Sequence, residues 1–403
     1  MKRLYDKVID SHFKQNRQML FLIGPRQVGK TTTSLTACKK EENYFYLNWD
    51  IQNDRMLIMQ GADAVADKTN LHQFKQSKTM IVFDELHKYK KWKNFIKGFF
   101  DKYNEKTKII ITGSARLDVF TRGGDSLMGR YFPYHIHPFS VAEIINPQLK
   151  TTDLSLVSQN ISDEKFNALF NFGGFPEPLL KRKKSFFLRW KKLRAQQLFS
   201  EDLRDLTKIQ GIDQMEILAH LLASNVGQLT NYTSLANKVN VSVDTIRRWI
   251  KTLKSFYYCF NIQPWTKNIS RSLLKEPKIY LWDWALVENE GARVENFIAA
   301  HLYKAVHLWN DLGLGEYQLH FLRDKEKREV DFLLIKNKVP WMLVEVKTSD
   351  NHGLTKSLFY YQNQTRAKYA IQVVFDMKYQ SGNCFSSSKP IIVPAKTFLS
   401  QLI

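Results

Sequence analysis

The stretch Gly24-Pro25-Arg26-Gln27-Val28-Gly29-Lys30-Thr31 constrains this chain more than any other. It follows the apolar run Met19-Leu20-Phe21-Leu22-Ile23, which reads as a buried parallel strand, and precedes residues that can open a helix. Strand, glycine-bounded loop and helix N-terminus in the spacing G-x-x-x-x-G-K-[ST] make a phosphate-binding loop. Gly24 and Gly29 permit the tight turn whose backbone N–H groups, from Gly24 to Thr32, wrap phosphates. Lys30 brings a positive charge to the β- and γ-phosphates, and the Thr31 hydroxyl can ligate Mg²⁺. The helix that opens near Lys30 turns its positive dipole end toward the anion. A nucleoside triphosphate with Mg²⁺ is the expected ligand.

A second motif supports the first. Tyr44 to Asp50 reads as another strand, Gln52 to Lys75 as helix with its connections, and Thr79-Met80-Ile81-Val82-Phe83-Asp84-Glu85 as an apolar strand ending in two acids. In P-loop enzymes the first such acid holds Mg²⁺ through water, here Asp84, and the second polarises the attacking water, here Glu85. Asp84 stands 54 residues after Lys30 in an alternating strand–helix pattern, which suits a parallel sheet. After a basic aromatic helix, Trp92 to Tyr103, a further strand runs from Lys108 to Ser114. Thr112 or Ser114 at its end could sense the γ-phosphate, or the Thr-Gly-Ser turn could simply satisfy its own backbone.

Gly-Pro-Arg-Gln-Val-Gly-Lys-Thr, Phe-Asp-Glu-Leu-His-Lys-Tyr-Lys-Lys-Trp-Lys, Ile-Thr-Gly-Ser and Leu127-Met128-Gly129-Arg130-Tyr131-Phe132, followed by His137-Pro138-Phe139-Ser140, occur in that order. The set resembles a large prokaryotic family of AAA+-type ATPases, mostly of unknown function, that carry a C-terminal nuclease-like domain. The resemblance implies ATP rather than GTP, and makes Arg130 an arginine finger or phosphate sensor. Spacing alone reads Arg130 as a solvated arginine. A finger acting in trans requires a homo-oligomer.

Composition narrows the partners. The formal charge is +21 with a pI near 9.6, an excess that suits a polyanion such as DNA, although a lysine-rich solvated surface gives the same count. Cys38, Cys259 and Cys384 are isolated, which fits a reducing compartment and no structural zinc. The N-terminal residues lack a signal-peptide core and no apolar run is long enough to cross a bilayer, so the expectation is a cytoplasmic chain with no membrane partner.

Residues 146 to 163 read as a linker, 170 to 178 as a breaker-rich turn, and Ser185 to about Thr207 as a long basic helix serving as lid or spacer. Tyr232 to Val239 then reads as a short helix, Asn240-Val241 as a turn and Ser242 as the N-cap of a second helix. On that helix Ile246, Ile250 and Leu253 share a face, with Arg247, Arg248, Lys251 and Lys254 largely opposite. Two strand-like runs, Phe256 to Pro264 and Pro277 to Asp283, flank a basic turn at Lys267 to Lys275 and would make a wing. Such a module can present a recognition helix to DNA, or serve only for packing.

In the last 120 residues, Glu329 to Ile335 and Trp341 to Lys347 read as a hairpin that brings Asp331 near Glu345 and Lys347. Glu345 and Lys347, two apart, share a face while Val344 and Val346 point to the core. Asp331 and Glu345 supply the oxygen ligands Mg²⁺ prefers, and Lys347 can orient or deprotonate water and balance phosphate charge. Asp-x₁₃-Glu-x-Lys is the PD-(D/E)xK pattern of metal-dependent nucleases, here with Val330 in place of the proline. An ordinary ion-pair face would look the same. Glu295, on an upstream amphipathic helix, resembles the additional acid of Holliday-junction-resolvase-like members of that fold, and Gln362 a supporting residue.

The expected architecture is a multidomain α/β chain. It comprises a P-loop NTPase (AAA+-like) domain at 1–145, a helical extension at 146–215, a winged helix-turn-helix at 216–284 and a restriction-endonuclease-like α/β domain at 285–403. The expected activity is ATP hydrolysis coupled to action on DNA, with metal-dependent cleavage at Glu295, Asp331, Glu345 and Lys347. The rival is a nucleotide-switched platform, binding DNA or a protein partner of unknown identity through an inactive nuclease-like domain.

Overall fold

A computed structural model describes residues 1–73, 77–113, 127–149, 152–203, 211–266, 276–350 and 353–402. It divides into two compact units, one of Met1–His137 with Pro147–Leu149, the other of Pro138–Asn146 with Lys150–Ile403.

The first unit is built on five parallel strands: β1 (Met19–Ile23), β2 (Tyr44–Asn48), β3 (Thr79–Asp84), β4 (Thr107–Gly113) and β5 (Tyr131–His135), in the order β2-β3-β4-β1-β5. β1 and β3 are buried along their whole length, as unbroken apolar runs in a parallel sheet require. β5 carries Pro133, which a strand tolerates at the sheet's edge because no further ladder partner needs its N–H. The helix Trp92–Tyr103 buries Trp92, Ile96, Phe99, Phe100 and Tyr103, one stripe at helical period, against Phe21 and Phe83. The span expected as helix from Gln52 is two helices, Gln52–Gln60 and Ala62–Lys68, separated at Gly61. Because all five strands run the same way, the ends of β1, β3 and β4 converge on one edge, with Ile23 opposite Gly113 and Phe83 opposite Ile111.

The second unit holds seven strands: β6 (Cys259–Pro264), β7 (Lys278–Leu281), β8 (Tyr317–Arg323), β9 (Glu329–Lys336), β10 (Val339–Lys347), β11 (Tyr369–Val374) and β12 (Ile391–Pro394). Their order is β12-β11-β10-β9-β8-β6-β7. The β9–β10 hairpin turns at Asn337 and Lys338, both with positive φ (51° and 67°), the backbone of a tight two-residue hairpin turn. β6 changes partner part-way: Cys259–Ile262 pair antiparallel with β7, and Gln263–Pro264 pair parallel with β8. The two strands expected to form a wing are therefore continuous with the sheet that carries the Asp331 and Glu345 hairpin. The expected basic turn at 267–275 lies outside the described residues.

The helix Glu290–Asp311 packs on this sheet with Val294, Phe297, Ile298, His301, Leu302 and Trp309 buried. Asn296 clips the β7 backbone, accepting from Leu281 N–H and donating to Leu281 C=O, each at 2.8 Å. That covers groups a bare strand edge would leave unpaired. The helix-turn-helix region has the expected elements, Tyr232–Val239 and Val243–Ser255, with Asn240 left-handed between them and the Ser242 hydroxyl accepting from Thr245 N–H. Among the described residues, no helix is long and apolar enough to cross a membrane.

Candidate functional sites

At the end of β1 the chain passes Ile136 so closely that a Cβ on Gly24 would sit 2.4 Å from its carbonyl oxygen. Only glycine fits, so Gly24 is required by packing between adjacent chain segments as well as by the loop. Gly29 is left-handed, with φ of 99°, and opens the helix Lys30–Cys38 with no side-chain cap. With glycine at the N-cap, no N-cap side chain competes for the first N–H groups of that helix, the groups a P-loop turns toward phosphate. The Lys30 ammonium, 6% exposed, donates to Gly24 O at 3.0 Å and Pro25 O at 2.7 Å. Arg3, outside the motif, donates to Val28 O at 2.8 Å and to His137 O, and so braces the loop from behind.

Asp84, 2% exposed at the end of β3, gathers three hydroxyl donors. Thr31 reaches one oxygen at 2.8 Å, Tyr46 of β2 donates to the same oxygen, and Thr112 of β4 donates to the other. Three adjacent strands and the P-loop helix are joined at one carboxylate. Burial, then the Asp84 carboxylate, raise the Tyr46 phenol above its ordinary range, so it stays a donor. Glu85 follows in a left-handed conformation, φ 56° and ψ 23°, unusual for a residue with a side chain and suited to a functional turn. Its carboxylate lies 3.5 Å from Lys88 and 3.6 Å from His87. Ser114 lies outside the described residues.

The fold does not bring Arg130 to this loop. Met19 N–H donates to Arg130 O, which places Arg130 at the start of β1 and β5, whereas the P-loop leaves the opposite end of β1. The length of the strand, about 13 Å at ~3.3 Å per residue, separates them. The guanidinium is engaged by Asp101, at 2.6 and 3.0 Å. A phosphate-sensing role within the same chain does not fit this placement.

In the second unit the four expected residues do converge. Asp331 accepts from Val346 N–H at 2.8 Å, and Lys347 donates to Glu345 at 2.8 Å. Glu345 is more enclosed than a solvent-facing strand position, at 6% exposure, while Val346, expected in the core, is half-buried. The remaining Glu345 oxygen, Oε2, is buried with no hydrogen-bond partner. Burial, then the Asp331 charge, push the Glu345 carboxyl up to about 7 against the pull of Lys347. Burial and Asp331 likewise raise Glu295 to about 7, opposed by Lys278.

Lys278 was not foreseen. From β7 its ammonium reaches Glu329 at 2.6 Å, Glu295 at 3.2 Å and Asp331 at 3.8 Å, and it is 3% exposed. Burial alone would lower its pKa; the three carboxylates outweigh that and hold it above the ordinary lysine range. Tyr280, two residues on, donates to Glu295 at 2.7 Å. Gln362 ties off its own helix, donating to Ala367 O and Ser388 O. Among the described residues, no group of three or more His, Cys, Asp or Glu side chains is arranged to hold a metal ion.

On the helix Val243–Ser255, Ile246, Trp249, Ile250 and Leu253 are buried, whereas Arg247, Arg248 and Lys251 are exposed. The Arg247 guanidinium lies 5.2 Å from the centre of the Tyr232 ring.

Comparison with known proteins agrees with the first unit. Residues 16–145 match the family described as AAA domain, and residues 163–290 and 290–387 match two families described only as domains of unknown function. An uncharacterized protein of Methanocaldococcus jannaschii is 24% identical over 78% of this chain and 71% of its own length. An uncharacterized protein of Mycobacterium tuberculosis is 22% identical over 84% of this chain and 72% of its own. Among solved structures, the Aeropyrum pernix ORC1 protein in complex with DNA aligns with a TM-score of 0.31 at 13% identity, covering 71% of this chain and 88% of that one. AMPPCP-bound DnaA from Aquifex aeolicus aligns with a TM-score of 0.32 at 13% identity, covering 62% and 87%. The AAA match, the parallel sheet and the P-loop together make the first unit an AAA+ P-loop domain of the nucleotide-binding ATPase class.

Proposed function

We propose that this protein binds and hydrolyses ATP at the P-loop and uses the cycle to act on DNA through its second unit. The observation that carries the ATPase reading is the Asp84 cluster. A carboxylate at the end of β3 is held by Thr31 of the P-loop helix, Tyr46 and Thr112, which ties it to the P-loop that would hold the triphosphate. The hard oxygen donors of Thr31 and Asp84 suit Mg²⁺, which when bound would neutralise charge on the β- and γ-phosphates. The backbone from Gly24 to Thr32 cradles the phosphates, Lys30 exchanges its neutral carbonyl acceptors for phosphate oxygens, and Glu85 orients and polarises the attacking water. An Arg130 acting in trans would require a second copy of the chain.

DNA is proposed from charge and from the exposed cations. The net +21, and Arg247, Arg248 and Lys251 on the outer face of the second helix, suit binding to phosphates with the helix laid in a groove, as in a winged helix. Replacing those three residues by Ala is expected to weaken DNA binding and to flatten the salt dependence, by a slope of about 1 for each phosphate no longer neutralised. Filter binding across a salt series reads both.

For the last domain we propose a Mg²⁺-dependent nuclease site in which Asp331 and Glu345 hold the ion, with Glu295 beside them. The unpartnered Glu345 Oε2 fits that role, since a buried carboxylate oxygen with no donor calls for a cation. Mg²⁺ there would polarise phosphate oxygens. Lys347 holds Glu345 in place, orients water and balances phosphate charge. The second reading, an inactive platform, is favoured by the lack of a three-ligand group among the described residues.

ATP turnover measured with and without double-stranded, single-stranded and branched DNA at two salt concentrations tests the whole. Stimulation by one form, abolished in Lys30→Ala, is the expected result. Turnover indifferent to every DNA would move the partner to a protein. Cleavage with Mg²⁺ or Mn²⁺ that disappears in Glu345→Ala identifies a nuclease; binding without cleavage under either metal identifies the platform.

A further inference from the structure

We propose that the Lys278 ammonium is a built-in cation of the C-terminal acidic site. It takes the place a second divalent ion would occupy among Glu295, Glu329 and Asp331, so the site accepts a single divalent ion, through Asp331 and Glu345. The inference rests on the metal-site reading above and deepens it.

The geometry carries the first half. Lys278 is 3% exposed, and three carboxylates from two different elements face its ammonium at 2.6, 3.2 and 3.8 Å. The arrangement is built rather than incidental. Lys278 is anchored by a backbone bridge to Leu229, and Thr230 N–H donates to the adjacent Pro277 O at 2.8 Å. Tyr280, on the same face of β7 two residues later, donates to the very Glu295 oxygen that Lys278 reaches. That oxygen already receives two donors, which leaves it no capacity for a metal ion.

Charge carries the second half. Fully ionised, Glu295, Glu329, Asp331 and Glu345 face Lys278, Lys347 and Arg323, which among the described residues leaves one negative charge uncompensated. One divalent cation turns that into one positive charge, which an incoming phosphodiester neutralises. Two would leave a large positive excess in an enclosed site, where unpaired charge is costly. The open valence is at Glu345 Oε2, which is buried and without a hydrogen-bond partner. A tethered ammonium also costs no binding entropy and stays in place as substrate comes and goes. Two-metal phosphodiester chemistry has both ions ~3.5–4 Å apart on opposite sides of the reacting phosphate. On this proposal β7 would supply one of the two cationic charges covalently, from Lys278.

The test is Mn²⁺ binding to the full chain by titration calorimetry and by electron paramagnetic resonance of free Mn²⁺. No nucleotide is added, and Asp84→Asn is present in every arm to silence the P-loop. The expected result is one Mn²⁺ per chain, lost in Glu345→Gln and kept in Glu295→Gln. Lys278→Met should bind two, the added one lost again in Lys278→Met/Glu295→Gln. Two ions in the Lys278-containing chain, or loss of its ion in Glu295→Gln, overturns the inference while leaving a metal site standing. A folded Lys278→Met that still binds one ion also overturns it. No Mn²⁺ in either the Lys278-containing chain or Glu345→Gln overturns the metal-site reading itself, a result told apart by its indifference to Glu345. Should Lys278→Met fail to fold, the Glu295→Gln arm, which keeps the lysine and the Tyr280 hydrogen bond, decides alone.

Discussion

Two enclosed lysines, Lys30 in the first unit and Lys278 in the second, meet different kinds of acceptor. Lys30 donates to two neutral carbonyls of its own loop. Lys278 is surrounded by three carboxylates on other elements. The two carbonyls that Lys30 meets carry no full charge, so giving up those contacts to a phosphate strands no ion. A cation in a carboxylate cage cannot leave without stranding three charges. Under the proposed function the first lysine meets the nucleotide and the second holds the acidic cluster together.

That contrast makes predictions in order of size. Lys30→Ala should lower ATP turnover by on the order of 100-fold or more, since a preorganised charge on the transferring phosphoryl group is removed, while the melting temperature stays near that of the parent. A melt that collapses with turnover would break the comparison. Lys278→Met should do the converse and cost the second unit about 3–5 kcal/mol, as expected for removing one partner of a buried ion cluster; denaturant unfolding reads it. If Lys278→Met is neutral, the cage is not holding the fold. Tyr46→Phe removes one of three donors to Asp84, and roughly a tenfold drop in turnover is expected from a charge-assisted hydrogen bond. A steeper Mg²⁺ requirement should accompany it.

The smallest effect concerns pH. Glu345 is pushed up to about 7 in the folded chain, whereas an unfolded glutamate titrates near 4.3–4.5. Between those values the folded state binds more protons than the unfolded one, so stability falls as pH rises from about 4.5 to 7. Below that window the carboxyl is neutral in both states and contributes nothing. Glu345→Gln should raise the melting temperature of the second unit at pH 8 by a few degrees and leave it unchanged near pH 4.5. An equal shift at both pH values would show that packing, not charge, governs this position. His301 gives the opposite sign. Burial lowers it to about 3, and its ring accepts from Val141 N–H while Nδ1–H donates to Phe297 O. Its stabilisation, full above about 6.5, is lost as pH falls toward 3.

How much could be read from the chain alone follows from where each residue's partners lie. The P-loop is one contiguous segment, and its strand, turn and helix are dictated locally by an apolar run, two glycines and a helix start. Asp84-Glu85 and the Glu345-x-Lys347 hairpin were legible for the same reason, each at a fixed offset within one or two strands. Tyr46 was harder. It lies in a strand that read as such, but its tie to Asp84 depends on β2 lying beside β3, with Asn48 opposite Asp84. Lys278 gave no signal. It stands 53 residues before Asp331 as a lone charge at the head of an apolar strand, Lys278–Leu281. Arg130 carries the reverse lesson, since its motif pointed to the nucleotide and the strand direction put it at the far end of β1.

By itself, then, the sequence determined the phosphate-binding loop, the alternation that makes a parallel sheet around it, the basic face of the helix Val243–Ser255 and the pairing of Asp331 with Glu345. Only the tertiary structure decided which hydroxyls reach Asp84, which end of β1 Arg130 occupies, and that β6 changes partner so that β7 delivers a lysine among the acids. The physical reason is range. Periodicity, turn chemistry and loop glycines act over a few residues, whereas electrostatic partnership in a buried cluster is set by strand order and register, which join residues that share no local pattern.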